Sequence, residues 1–192
     1  VPAESDLALR AARALQGAAA TRFGVTIALD KRIPLGAGLG GGSSDAASVL
    51  LGLNRLWALD LPRARLAEIA LTLGADVPFF VGGEPALARG IGDVLTPMTL
   101  PVAWLALAFP RVHVPTAAIF AAPELTRTSP SAKIDVFSES YGRNDLEAVA
   151  SSKFPAVAEA IAALSRVSPL ARMTGSGACA FAAFATEREA RD

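Results

Sequence analysis

The chain has one cysteine, one histidine and one tyrosine, and no excess of charge of either sign. Cys179 alone cannot close an intramolecular disulfide, and with His113 it falls short of the side chains a zinc site needs. A reducing, cytoplasmic setting is expected. Eighteen Lys+Arg balance eighteen Asp+Glu, so no global field draws a nucleic-acid backbone, and no basic cluster supplies a local one. Charges, Gly or Pro interrupt every apolar run before it reaches the ~20 residues that cross a bilayer, and no secretory leader is expected. The expectation is a soluble protein with no membrane or nucleic-acid partner and an unspecified oligomeric state. A small molecule is the expected ligand.

What the chain does have is apolar material. Over 192 residues, 52% are hydrophobic, enough for a core and too much for a disordered chain. Both ends are expected to continue. Val1-Pro2 lacks an initiator methionine, and Thr186-Glu187-Arg188-Glu189 has the form of a capping box that opens a helix, yet the sequence stops at Asp192. Under two turns would follow, against the ~12–15 residues at which isolated helices become marginal.

The densest signal is Pro34-Leu35-Gly36-Ala37-Gly38-Leu39-Gly40-Gly41-Gly42-Ser43-Ser44, with five glycines and a serine pair between a strand-like and a helix-like run. Glycine allows positive φ and close backbone approach, and the first N–H groups of a following helix have no acceptor within it. A phosphate supplies one. A Walker A loop is excluded because Gly42 stands where its lysine would precede the hydroxyl residue. The dinucleotide fingerprint is excluded by glycine spacing and by the lack of an acidic residue at a strand end ~20 positions on. What remains suits a nucleoside triphosphate whose charge is shared with Mg²⁺.

Around the loop, Leu7, Ala11, Ala14, Leu15 and Ala18 predict a helix, and alternation at Val25, Ile27 and Leu29 predicts a strand. Ala46, Val49, Leu50, Leu53, Leu56 and Trp57 predict a helix over about 43–58. A further helix follows Pro62, with Gly74 placed to end it in a left-handed cap. Phe79–Val81, Ala86–Arg89 and Val94–Met98 read as short strands, and Trp104–Phe109 as a strand buried on both faces. Residues 126–141 read as a mobile surface excursion. Asn144 caps one helix, another follows Pro155, and Ala178–Phe184 is a strand after a glycine-rich turn. Helices and hairpins in this order point to α+β.

The phosphate loop resembles that of the GHMP kinases, the superfamily of galactokinase, homoserine kinase, mevalonate kinase and phosphomevalonate kinase. Three strings in order carry the likeness: GLGGGSSDAA over Gly38–Ala47, LGADVP over Leu73–Pro78 and TGSGAC over Thr174–Cys179. Together they resemble the branch that phosphorylates the 2-hydroxyl of a cytidine-diphosphate-linked methylerythritol in non-mevalonate isoprenoid synthesis. The resemblance implies a two-layer GHMP-kinase-like fold with part of its N-terminal domain absent. Residues 1–98 would be the remainder of that domain, with the phosphate loop and catalytic aspartate, and 99–192 an incomplete C-terminal domain. The missing front would carry the family's catalytic lysine and part of the cytidine pocket.

By position, the resemblance makes Asp76 the catalytic carboxylate and residues Pro34 through Ser44 the ATP site, with Ser43 and Ser44 near the nucleotide's Mg²⁺ and no protein side chain assigned as a ligand to the metal. Gly175, Ser176 and Gly177 would close on the phosphate loop. Phe120 would stack on cytosine with Thr116 on the same side; without the resemblance Phe120 reads as core, and Asp76 as a turn former. Another GHMP small-molecule kinase stays open as a reading. So does a nucleotide-binding module without catalysis, since Lys31, Lys133 and Lys153 fall outside the family's lysine motif.

Overall fold

The computed structural model describes residues 4–129 and 143–192; most of the excursion expected over 126–141 therefore lies outside the described residues. The chain forms two compact units, Val1–Arg32 with Gly40–Thr99, and Ile33–Leu39 with Leu100–Asp192.

The first unit opens with helix α1, Leu7–Ala18, capped by Asp6, whose carboxylate accepts the N–H of Ala8 (2.8 Å) and Leu9 (3.3 Å). Helix α2, Gly41–Leu56, packs against it through Ala46, Ala47, Leu50 and Leu53; of the stripe read from its helical spacing, Ala46, Leu50, Leu53 and Trp57 are buried, Val49 is half-buried and Leu56 is exposed. Helix α3, Arg63–Leu71, adds Leu66, Ile69 and Ala70 to the same core. It ends at Thr72 with ordinary right-handed geometry. The left-handed cap expected of Gly74 is not formed; Gly74 keeps a Cβ-compatible backbone and packs near Val77.

Phe79–Val81 is also not a strand. It lies in helix α4, Val77–Gly82, opened by Pro78 and closed by left-handed Gly83 at φ 74°. Three apolar residues carry no period, whereas the flanking Pro and Gly do mark a helix with its start and stop. Val77 and Val81, one turn apart, supply its buried face. The Arg63 guanidinium donates to the carbonyls of Val81 (2.6 Å) and Gly82 (2.9 Å), completing acceptors that a helix end leaves open.

Strands β1, Ala86–Arg89, and β2, Val94–Pro97, form the expected antiparallel hairpin, with Arg89 opposite Val94 and positive φ at Gly90 and Gly92 in its turn. The alternating segment Val25–Leu29 forms no strand. Its pattern describes a half-buried surface, but a ladder requires a second backbone, and among the described residues none pairs with it. Val25 and Leu29 are exposed, while Ile27 rests on the core.

The second unit holds strand β3, Trp104–Ala108, helix α5, Thr116–Phe120, helix α6, Asp145–Lys153, helix α7, Pro155–Ser165, strands β4, Arg172–Met173, and β5, Ala180–Phe184, and helix α8, Glu187–Arg191. The sheet order is β3-β5-β4, all antiparallel, with Leu107 opposite Phe181 and Phe181 opposite Arg172. Helix α7 covers one face, where Met173, Ala180 and Ala182 are buried. On the other face Leu105 and Leu107 are 56% and 53% exposed, so β3 is not buried on both faces. An apolar run reports what a strand tolerates, not whether a neighbouring element covers both of its faces. Val114, Ile119, Val149, Val157 and Met173 make this unit's own core. The capping box opens α8 as read, Thr186 Oγ1 accepting the Glu189 N–H and Glu189 Oε2 accepting the Thr186 N–H.

Among the described residues no helix is long and apolar enough to cross a membrane.

Candidate active site

The glycine loop is one covalent stretch shared by the two units, residues 33–39 folding with the second and Gly40 onward with the first. In the second unit its carbonyls are tied to the glycine-rich turn after β4. Gly36 O accepts the Ala178 N–H (3.1 Å), Ala37 O the Cys179 N–H (3.1 Å) and Gly38 O the Thr174 hydroxyl (2.8 Å). Three consecutive acceptors are thereby spent on protein. Positive φ at Gly36, Gly38 and Gly40, alternating along the chain, is the backbone pattern that gathers N–H groups into an anion-binding concavity. A Cβ at Gly38 would lie 2.4 Å from Thr174 O and 2.8 Å from Gly177 O, and one at Gly36 2.7 Å from His113 Nδ1. The glycines are therefore demanded by space as well as by φ.

The turn is itself anchored by α6. Asn144 Nδ2 donates to Gly175 O (2.7 Å) and Met173 O (3.0 Å), while its Oδ1 accepts the Leu146 N–H that caps the helix. Glu147 Oε2 accepts the Met173 N–H (2.7 Å). Sequence reading found the cap in Asn144 and missed the clamp, because its partners lie 29 and 31 residues away with no local pattern to join them. Buried Cys179 fills the turn's underside, and burial pushes its thiol up.

Thr116 and Ser176 share a hydrogen bond of 2.7 Å, so α5 starts against the same turn. Phe120, at the end of α5, is 54% exposed. It is not the core residue that its type alone would make it. Pro34 and Leu35 are exposed at the loop's entrance.

In the first unit, Gly40 is the N-cap of α2 in left-handed geometry, with no side chain capping the helix. Its carbonyl takes the Ser44 N–H at 2.9 Å, leaving the N–H groups of Gly41, Gly42 and Ser43 without acceptors inside the helix. Ser43 and Ser44 stand half-buried in this first turn. Asp45 is occupied by an ion pair with Lys31. Asp76 heads α4, caps no backbone group, is exposed, and has no hydrogen bond or ion pair among the described residues.

Helix α4 packs on α2, and four residues along it the Phe80 ring meets the loop: a Cβ at Gly40 would come within 2.8 Å of Phe80 Cζ. Positions i and i+4 lie about 5–6 Å apart on one helix face, so α4 brings Asp76 to within roughly a turn of the residue that abuts Gly40. The hairpin turn also comes close, with Gly92 near Ala75 and Asp76.

No group of three or more His, Cys, Asp or Glu side chains among the described residues could hold a metal by itself. The donor set fits a cation that arrives with a polyphosphate, which needs hydroxyls and backbone N–H groups rather than a carboxylate cage. A separate cavity of about 680 Å³ opens on the uncovered sheet face, lined by Leu105, Arg143, Arg172 and Phe181. It reaches Thr174 and Gly175 but none of the hydroxyl pair, Phe120 or Asp76.

Comparison with known proteins adds to this geometry. Residues 6–84 match the GHMP kinases N terminal domain and residues 123–192 the GHMP kinases C terminal domain. The chain is 56% identical over its full length to the 4-diphosphocytidyl-2-C-methyl-D-erythritol kinase of Cupriavidus metallidurans, covering 67% of that protein. Kinases of the same name from Ralstonia pickettii and Thiobacillus denitrificans are each 59% identical, over 96% and 100% of this chain and 65% and 68% of their own lengths. It thus spans about two thirds of these relatives. A crystal structure of 4-(cytidine 5'-diphospho)-2C-methyl-D-erythritol kinase superposes with a TM-score of 0.84 at 39% identity, covering 97% of this chain and 71% of the other.

Proposed function

We propose, because this chain belongs to the GHMP kinase family, that it is the phosphate-binding and catalytic-aspartate portion of a 4-diphosphocytidyl-2-C-methyl-D-erythritol kinase. The reaction is ATP-dependent phosphorylation of the acceptor's 2-hydroxyl. The observation that carries the reading is the glycine loop: its carbonyls at 36, 37 and 38 are consumed by the turn at 174–179, which leaves N–H groups as the loop's free function.

ATP with Mg²⁺ supplies the transferable phosphoryl group and shields its charge. Residues 34–44 form the triphosphate site, its donors the main-chain N–H groups that follow Pro34, above all those of Gly41, Gly42 and Ser43 at the start of α2, and Ser43 and Ser44 are the hydroxyls this chain presents to the metal. Gly175, Ser176 and Gly177 keep the loop in its binding shape. Asp76 orients the acceptor hydroxyl and takes its proton as the oxygen becomes bonded to phosphorus; an unpartnered carboxylate is free to do both. Because phosphoryl transfer passes through a loose transition state, orientation precedes proton removal. Phe120 stacks on the cytosine ring, an exposed aromatic being available for a ligand as a core one is not, and Thr116 lines the same side. A cytoplasmic location accords with the single unpaired cysteine.

The test is phosphorylation by the complete gene product of the cytidine-diphosphate-linked methylerythritol set beside mevalonate, homoserine and galactose. Selective turnover of the first is expected, and Asp76→Asn should lower kcat by about 10²–10⁴-fold while ATP affinity, followed by calorimetry, is retained. Equal turnover of another acceptor, or an unaltered kcat in the variant, would overturn the reading.

A further inference from the structure

Phe120 ends a helix of five residues and is more than half exposed, so neither burial of the ring nor helix propensity fixes its direction. Isolated helices of this length do not persist in water. Its neighbour Ile119 is fully buried and holds the helix to the core. What holds the end is Arg127. Its guanidinium donates to Phe120 O (2.6 Å), Leu125 O (3.2 Å) and Ala122 O (3.3 Å).

Of these carbonyls Ala122 O also accepts the Leu125 N–H at 3.2 Å, while those of Phe120 and Leu125 lie where the end of a short helix and the turn after it run out of backbone donors, and a cation there also meets the negative end of the helix dipole. Among the described residues no carboxylate competes for the group: the nearby acidic residue Glu124 pairs with Lys153, at 3.8 Å, and Arg127 has no ion pair. At the other end of α5 the Thr116–Ser176 bond fixes the start. The helix is thus pinned at both ends, by a hydroxyl pair and by one planar fork.

We propose that Arg127 is a positioning residue for acceptor recognition, its guanidinium setting the direction in which the Phe120 ring meets a pyrimidine base. This rests on the reading of Phe120 given above. Arg127 itself touches no substrate; it acts through the peptide carbonyl of the residue that does. A planar donor fork reaches three carbonyls at once, which the point charge of lysine cannot match.

The experiment uses the complete enzyme carrying Arg127→Met, Arg127→Lys, Phe120→Ala, or Phe120→Ala with Arg127→Met. Misdirecting the ring in Arg127→Met weakens its stack on the base and should raise the acceptor KM by about tenfold. The KM for ATP and kcat at saturating acceptor should stay within about twofold, with Arg127→Lys between Met and wild type. Hydrogen exchange at the Ala121 and Ala122 amides, bonded to Ala117 and Ile119 carbonyls, should quicken in Arg127→Met. The double variant should be no worse than Phe120→Ala alone, since both act on one contact.

An unchanged acceptor KM in a folded Arg127→Met, beside a raised one in Phe120→Ala, would overturn the role of Arg127 and leave the base-stacking reading standing. If Phe120→Ala also leaves the acceptor KM unmoved while the α5 amides still loosen in Arg127→Met, the stacking reading fails and the role of Arg127 fails with it. Parallel rises in both substrates' KM values would reduce Arg127 to a general stabiliser and likewise sink the proposal.

Discussion

Gly38 shows how much a single position can be required to do. It needs a left-handed backbone at φ 72°, and it lies against two carbonyl oxygens that no side chain can displace. Gly38→Ala combines a strained φ with backbone collisions, and should cost at least about 2 kcal/mol of stability together with most ATP affinity; thermal denaturation with and without nucleotide measures both. Cys179, beneath the same loop, is a different case. Burial favours its protonated form, so the folded chain keeps the thiol proton at a pH where the unfolded chain gives it up. That contribution is fully present at neutral pH and is lost as pH climbs past the ordinary thiol range of about 8.5. Native protein should therefore alkylate with iodoacetamide at pH 8 far more slowly than urea-unfolded protein, and Cys179→Ala should flatten the decline of stability above pH 9. That Gly38 and Cys179 belong to one construction was not visible in their local sequence, since their segments lie over 130 residues apart.

Among the helices, α1 and α2 were legible from their apolar spacing and α6 and α8 from the caps at Asn144 and Thr186, whereas the Asp6 cap was found only in the structure. Asp6 before α1, Asn144 before α6 and Thr186 before α8 all accept backbone N–H groups as their residue types require. The short elements were not. Phe79–Val81 is helical because Pro78 and Gly83 bound it and Val77 and Val81 reach the core, a choice made by packing on α2. Val25–Leu29 has a strand's alternation without a partner, and alternation alone makes no ladder. Asn144 joins helix α6 to the turn that carries Gly175. Asn144→Ala removes a cap and leaves carbonyls of a partly buried turn without a donor, for an expected loss of about 1–3 kcal/mol. Urea denaturation should register that loss, and the ATP KM should rise more than the acceptor KM because the turn holds the phosphate loop.

Two apolar clusters, one in each unit, account for the high hydrophobic content. Leu50 is fully buried in the first, so Leu50→Ala should destabilise by about 2–5 kcal/mol, whereas Leu56→Ala on the exposed face of the same helix should change stability by no more than about 0.5 kcal/mol. Urea midpoints for the two variants make the comparison. The helical stripes, the caps, the glycine loop and its kinase-like companions were all written locally, because helical period, capping chemistry and positive φ depend on residues within a few positions of one another. Which carbonyls the loop spends, which helix Asp76 heads, whether β3 is covered and what holds Phe120 depend on segments remote in the chain. Those were decided by the packing of distant segments, where hydrogen bonds and burial between them outweigh the preferences of any short run.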